Sequence, residues 1–190
     1  VKRSTFLHVA FLSVLGILFT GAAQAADPEV VIKTSLGSIT VQLDPEHSPK
    51  TVANFLHYVD KKAYDGTIFH RVIPGFMVQG GGFKPDMTEI SYDAPVVNEA
   101  VSSGLKNLRG TISMARTSDP DSATAQFFLN LVDNAMLDPN DQNPAGYAVF
   151  GKIVGGLDVI DKIAQIPTTT VNGMGDVPTT TVMIESIRRK

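Results

Sequence analysis

The sequence predicts a mainly β domain, either a closed barrel or a two-sheet sandwich, carrying two isolated helices. Three observations support this. Short apolar runs recur along the chain, separated by Gly, Pro, Asp and Asn clusters. Only two stretches show apolar residues at helical spacing. Helices and strands do not alternate regularly, as a parallel α/β sheet would require.

Each element has a local reason. Val30 to Thr34, followed by Ile39, Val41 and Leu43 alternating with Thr40 and Gln42, read as a hairpin turning around Leu36-Gly37-Ser38. Ser48 before Pro49 has the form of an N-cap and first helical residue, and Val52, Phe55, Leu56 and Val59 then fall on one helical face. Strands are expected at Thr67 to Ile73, Gly110 to Ala115, Gln126 to Leu131, Ala148 to Val154 and Thr181 to Ile187. Leu157, Ile160, Ile163 and Ala164 give a second helix after the Gly155-Gly156 break, ending before Pro167. Pro85 to Ser103, Val132 to Tyr147 and Pro167 to Pro178 are polar and turn-rich, and read as surface loops framing a site.

Lys2 and Arg3, the apolar run from Phe6 to Phe19 and the small-x-small pattern Ala23-Gln24-Ala25 make residues 1–25 a secretory leader. The apolar run is shorter than the roughly 18 residues that span a bilayer. Residues 26–190 then form one domain with 14 basic and 19 acidic residues, a balance that disfavours nucleic acid and anionic membrane as partners. With no cysteine, an exported chain must be held by its core alone.

Paired carboxylates stay open as a catalytic device, although the acids cluster in turns rather than in apolar runs, while the other familiar devices fail one by one. Gly80-Gly81-Gly82 is followed by Lys84-Pro85 rather than by a P-loop Lys-Ser or Lys-Thr, and reads as a bulge or a close backbone approach. Asp119-x-Asp121 and Asp138-x-Asn140 begin like calcium loops, but Asn130 and Val149 stand where the bidentate Glu belongs. His47, His57 and His70 lack zinc spacing, so His70 reads as a packed strand residue. No Gly-x-Ser-x-Gly nucleophile elbow occurs. What remains is an oddity. The run FHRVIPGFMVQGGG, Phe69 to Gly82, reads as buried strand yet carries Arg71 and Gln79 among Phe76 and Met77, and ATAQFFLN later sets Gln126 beside Phe127 and Phe128.

That run, with RGTISMAR (109–116), SATAQFFLN (122–130) and YAVFGKIVGGLDVI (147–160), resembles the cyclophilin family of peptidyl-prolyl isomerases, most of all the short bacterial members exported to the periplasm. The resemblance covers essentially the whole chain after the leader. It implies a closed eight-stranded antiparallel β-barrel capped by two α-helices, and catalysis of rotation about X-Pro bonds in unfolded or extended exported proteins. That rotation crosses a barrier of roughly 18–20 kcal/mol without making or cleaving a bond. No nucleophile, metal or cofactor is implied, only a pocket that holds the twisted amide better than either planar form.

By the same resemblance, Phe76, Met77, Phe128 and Leu137 form an apolar socket for the proline ring. Arg71 donates a hydrogen bond to the prolyl nitrogen as it regains its lone pair, Gln79 orients Arg71, and Ala115, Arg116 and Gln126 line the groove for the substrate backbone. Arg116 replaces the usual asparagine at a position that in the family acts through its main chain, so the change is expected to alter charge near the groove more than catalysis. Met136 is expected to keep the apolar wall of the site but stands where cyclosporin-sensitive relatives carry tryptophan, so weak cyclosporin inhibition is expected because the indole donor is missing. Tyr147 is expected at the pocket edge, where many relatives carry histidine. Proline-containing polypeptides are the expected partners, with no membrane contact after leader removal and a monomer as default. Two rival readings stay in view. One is a chaperone that docks proline segments with little turnover, and the other is a hollow small-ligand barrel, which the bulky Phe, Ile, Val and Met content disfavours.

Overall fold

Strand β1 (Glu29–Thr34) opens a computed structural model that describes residues 27–190. The leader expected at residues 1–25 lies outside the described residues. The elements that follow are β2 (Gly37–Leu43), α1 (Pro49–Asp60), β3 (Thr67–Ile73), β4 (Met77–Gly80), α2 (Ala100–Ser103), β5 (Thr111–Met114), β6 (Phe127–Asn130), a 3-10 turn (Ala135–Leu137), β7 (Val149–Gly155), α3 (Leu157–Ala164), β8 (Thr168–Val171), β9 (Met174–Pro178) and β10 (Met183–Arg189). Eight strands close into a barrel in the order β1-β10-β3-β4-β6-β5-β7-β2, with antiparallel pairing throughout. Closure leaves the barrel without a free edge.

The two-residue period decides which side chains fill the barrel. Val30 and Ile32 of β1, Ile39, Val41 and Leu43 of β2, and Phe127 and Leu129 of β6 are fully buried. Helix α1 adds Val52, Phe55, Leu56 and Val59, and α3 adds Val159, Ile160 and Ile163. Phe55 lies edge-on to Phe127 at 5.7 Å and against Phe150 at 5.1 Å, so aromatic rings occupy the middle of the core. The interior is packed rather than hollow, which removes the small-ligand barrel reading.

Four local expectations need correction. Phe69 to Gly82 is two strands, not one: Pro74 and Gly75 turn the chain, with Gly75 at φ +73° and Phe76 N–H donating to Ile73 O. The segment 167–178 is a hairpin, β8 against β9, rather than a loop. A one-turn helix, α2, joins the two longer helices that were expected. Finally, α1 does begin at Pro49, but the Ser48 hydroxyl does not cap it and instead donates to Val149 O at 2.7 Å. The buried Glu99 carboxylate serves that helix end. It accepts from Lys50 N–H at 3.2 Å, Thr51 N–H at 2.8 Å and the Thr51 hydroxyl at 2.7 Å, placing negative charge at the positive end of the helix dipole.

Candidate active site

Register across three strands builds one face of the site. Arg71 of β3 pairs with Gln79 of β4, which pairs with Phe128 of β6, and Met77 lies two residues from Gln79 on the same outer face. Phase would normally forbid this. Phe69 and Val72 both point into the core although they are three residues apart. The conflict is resolved by a β-bulge: Phe69 pairs with Gly80 and Arg71 with Gln79, leaving His70 as the extra residue. The bulge resets the alternation and turns Arg71 outward.

His70 itself is buried against the Phe83 ring, with centroids 4.6 Å apart, and its Nδ1 has no hydrogen-bond partner. Burial, reinforced by the neighbouring Arg71 charge and opposed by a contact with the Ile68 backbone, lowers its pKa to about 4. It is neutral at working pH, in keeping with a packed strand residue.

Nine of the expected residues surround one cavity of about 180 Å³: Arg71, Phe76, Met77, Gln79, Ala115, Arg116, Phe128, Leu137 and Tyr147. Such a volume is below the ~300 Å³ at which small-molecule sites usually begin, and suits one side chain. Gln126 lies outside this lining, in an adjoining hollow that it shares with Gln79, Ala115, Arg116 and Tyr92. Met136, expected as part of the apolar wall, is 68% exposed and does not line the cavity. Its 3-10 turn presents Leu137 instead.

Arg71 is half exposed, and among the described residues its ion-pair partner is Asp176 of β9, with Nε 3.6 Å from Oδ2. Asp176 is similarly exposed and takes a left-handed backbone, φ +62°. The guanidinium is therefore not captured by a buried acid. Gln79 does not hydrogen-bond Arg71, contrary to the role expected for its amide. Its Nε2 donates to Gln126 Oε1 at 2.9 Å, Gln126 Nε2 donates to Tyr92 OH at 2.9 Å, and Tyr92 OH donates to Gly82 O at 3.2 Å. The triple glycine now has a use: a Cβ on Gly82 would collide with the Gln126 side chain, so glycine leaves room for this relay.

Sequence reasoning missed the scaffold beneath the cavity. Asn134 Nδ2 donates to Phe76 O at 2.9 Å and to Asn130 Oδ1 at 2.7 Å. Asn107 Nδ2 donates to Asp138 Oδ1 at 3.0 Å and to Tyr147 O at 3.2 Å, while the Ser113 hydroxyl donates to Asn107 Oδ1. This buried amide cluster ties the Phe76 turn, the 3-10 turn and the Tyr147 backbone to the sheet. Isolated asparagines in turn-rich sequence give no signal of it. The assembled site offers an apolar recess sized for one ring, with a cation at its mouth and backbone at its rim.

A closed, filled antiparallel barrel carrying an apolar recess of about 180 Å³ with a half-exposed cation beside it offers a site for one small ring or side chain. Comparisons with known proteins give the family. The model for cyclophilin-type peptidyl-prolyl cis-trans isomerases matches residues 29–189. Peptidyl-prolyl cis-trans isomerase A of Dickeya dadantii is 51% identical over 181 residues, covering 94% of each chain. Peptidyl-prolyl cis-trans isomerase B of Escherichia coli is 48% identical over 160 residues, 83% of this chain and 97% of that one. A crystal structure of a Cryptosporidium parvum cyclophilin in the presence of the dipeptide Ala-Pro superposes with a TM-score of 0.72 at 28% identity, covering 85% of this chain and 98% of that one. The chain belongs to the cyclophilin-type peptidyl-prolyl cis-trans isomerases and is an isomerase of that kind.

Proposed function

We propose that the chain is exported to the periplasm and there isomerises X-Pro bonds in unfolded or extended exported polypeptides, acting as a monomer and without a cofactor. The leader-like pattern of residues 1–25 supports the location. The observation that carries the mechanism is the Arg71 guanidinium at the edge of a recess walled by Phe76, Met77, Phe128 and Leu137.

The substrate proline ring enters the recess and is held by its apolar walls. The preceding carbonyl swings about the C–N bond. Twisting breaks amide resonance and returns the lone pair to the prolyl nitrogen, which can then accept a hydrogen bond that the planar amide could not. Arg71 supplies that donor. Because the bond exists mainly in the transition state, it lowers the barrier rather than tightening ground-state binding, and is worth about 1.5–3 kcal/mol, roughly ten- to a hundredfold in rate. Gln79 and Gln126 act one step removed: their mutual hydrogen bond fixes the polar floor beside the arginine.

Two measurements test this. Residues 26–190 are assayed on an Ala-Pro peptide by exchange NMR, with catalysed cis-trans exchange expected; exchange at the uncatalysed rate overturns the activity. The full chain is expressed and fractionated, and the N-terminus of the periplasmic product is sequenced. Processing after Ala25 is expected, and an unprocessed cytoplasmic product overturns the location.

A further inference from the structure

Arg116 is more engaged than a backbone-contact position requires. Its Nε donates to Gly146 O at 3.1 Å, Nη1 to Thr117 O at 2.9 Å, and Nη2 to Gly146 O at 2.9 Å and to Asn143 Oδ1 at 3.2 Å. All four bonds go to uncharged acceptors, so the positive charge is not neutralised by them. Its guanidinium carbon lies 4.3 Å from the centroid of the Tyr147 ring. That ring meets Phe128 edge-on, with centroids 5.8 Å apart at 77°. Arg116, Tyr147 and Phe128 all line the cavity.

We propose that Arg116 is a positioning residue that clamps Tyr147 against Phe128 and thereby sets the width of the recess, making it selective for a five-membered ring. The proposal rests on the isomerase reading and adds a specificity determinant to it. A planar guanidinium with forked donors can hold Gly146 O and the Asn143 side chain and stack on the ring together, which a flexible ammonium does only in part. The cation-π contact needs the positive charge, and a partly desolvated setting strengthens it. With the backbone of Gly146 and the ring of Tyr147 fixed by one side chain, the tyrosine wall cannot swing outward to admit a larger ring. Tyr147 is held from behind as well, since its N–H donates to Leu137 O at 2.8 Å and its carbonyl accepts from Asn107. Only the side-chain torsions are left for Arg116 to restrain.

The test compares wild type with Arg116→Ala, Arg116→Lys, Tyr147→Leu and the Arg116→Ala/Tyr147→Leu double variant, using peptides that carry proline or its six-membered homologue, pipecolic acid. Exchange NMR separates KM from kcat, and the Arg116 Nε–H resonance reports the ring current of Tyr147. Arg116→Ala should raise KM for the prolyl peptide about threefold to tenfold, with a smaller effect on kcat, while the pipecolyl-to-prolyl ratio of kcat/KM rises at least about threefold. Arg116→Lys should recover part of both changes, and the double variant should be no worse than the worse single variant. The Nε–H resonance should lie upfield in wild type and move downfield in Tyr147→Leu. An unchanged selectivity ratio in Arg116→Ala, or multiplicative effects in the double variant, overturns the proposal. Should Arg116→Ala fail to fold, the decision falls to Tyr147→Leu, where an Nε–H resonance that does not move is equally fatal. A wild type without turnover would instead defeat the isomerase reading, and the resonance would still decide whether the stack exists.

Discussion

Acidification should destabilise this protein through His70, and the size of the effect can be worked out. The imidazole titrates near 6.5 in an unfolded chain and at about 4 when buried in the bulge between β3 and β4. Between those values the unfolded state binds the extra proton. Stability therefore rises with pH through that window and is lost as pH falls from 6.5 towards 4. The linkage amounts to about 2 kcal/mol at pH 5 and about 3 kcal/mol at pH 4. Several carboxylates also have lowered values, among them Asp60 beside Arg189 and Asp65 beside Arg188, and they destabilise the fold in acid too. His70→Leu separates the contributions, because those carboxylates are common to both proteins. Urea unfolding at pH 7, 5 and 4 should show the wild type losing about 2 and then about 3 kcal/mol relative to the variant. A difference that stays flat from pH 7 to pH 4 would refute the buried neutral imidazole.

Other perturbations act on separate parts of the structure. Glu99→Ala removes the acceptor for three donors at the start of α1 and should cost about 2–4 kcal/mol, lowering the melting temperature by roughly 5–15 °C, whereas Glu99→Gln keeps part of this; a calorimetric shift under 2 °C for the alanine variant would contradict the cap. Asn134→Ala unties Phe76 O from the buried amide cluster and should cost about 2 kcal/mol of stability while lowering kcat/KM, both of which would be unchanged if the Phe76 turn held itself. Asp176→Asn breaks only a long, exposed pair with Arg71, so stability should stay within about 0.5 kcal/mol and kcat/KM within about threefold at 0.15 M salt; a tenfold loss would mean that Asp176 positions the guanidinium.

The fold was legible where sequence period and side-chain burial coincide. The alternation of Ile39, Val41 and Leu43 and the stripe of Val52, Phe55 and Val59 each read directly as β2 and α1, because in each case the packing partner lies on one side only. The hairpin at Thr168–Pro178 was not legible: its strands are largely exposed, and Thr, Asn and Gly there give loop composition without an apolar face. The Ser48 cap failed for a different reason. A hydroxyl in the right place was outcompeted by a carboxylate from Glu99, far along the chain, and no local pattern reports such a partner. Most of the recess was named through family motifs, while the device that aims Arg71, the bulge at His70, is a register event with no residue signature. Met136 illustrates the converse: a position taken from resemblance whose side chain faces solvent because Leu137 takes the inward place on the 3-10 turn.

Whether Arg71 favours the twisted amide over its planar forms is decided most directly by measuring turnover and peptide affinity together in Arg71→Ala. Loss of a transition-state hydrogen bond predicts that kcat falls about ten- to a hundredfold while the dissociation constant for an Ala-Pro peptide changes less than about threefold. A kcat close to wild type, or a loss that appears entirely as weaker peptide binding, would contradict it.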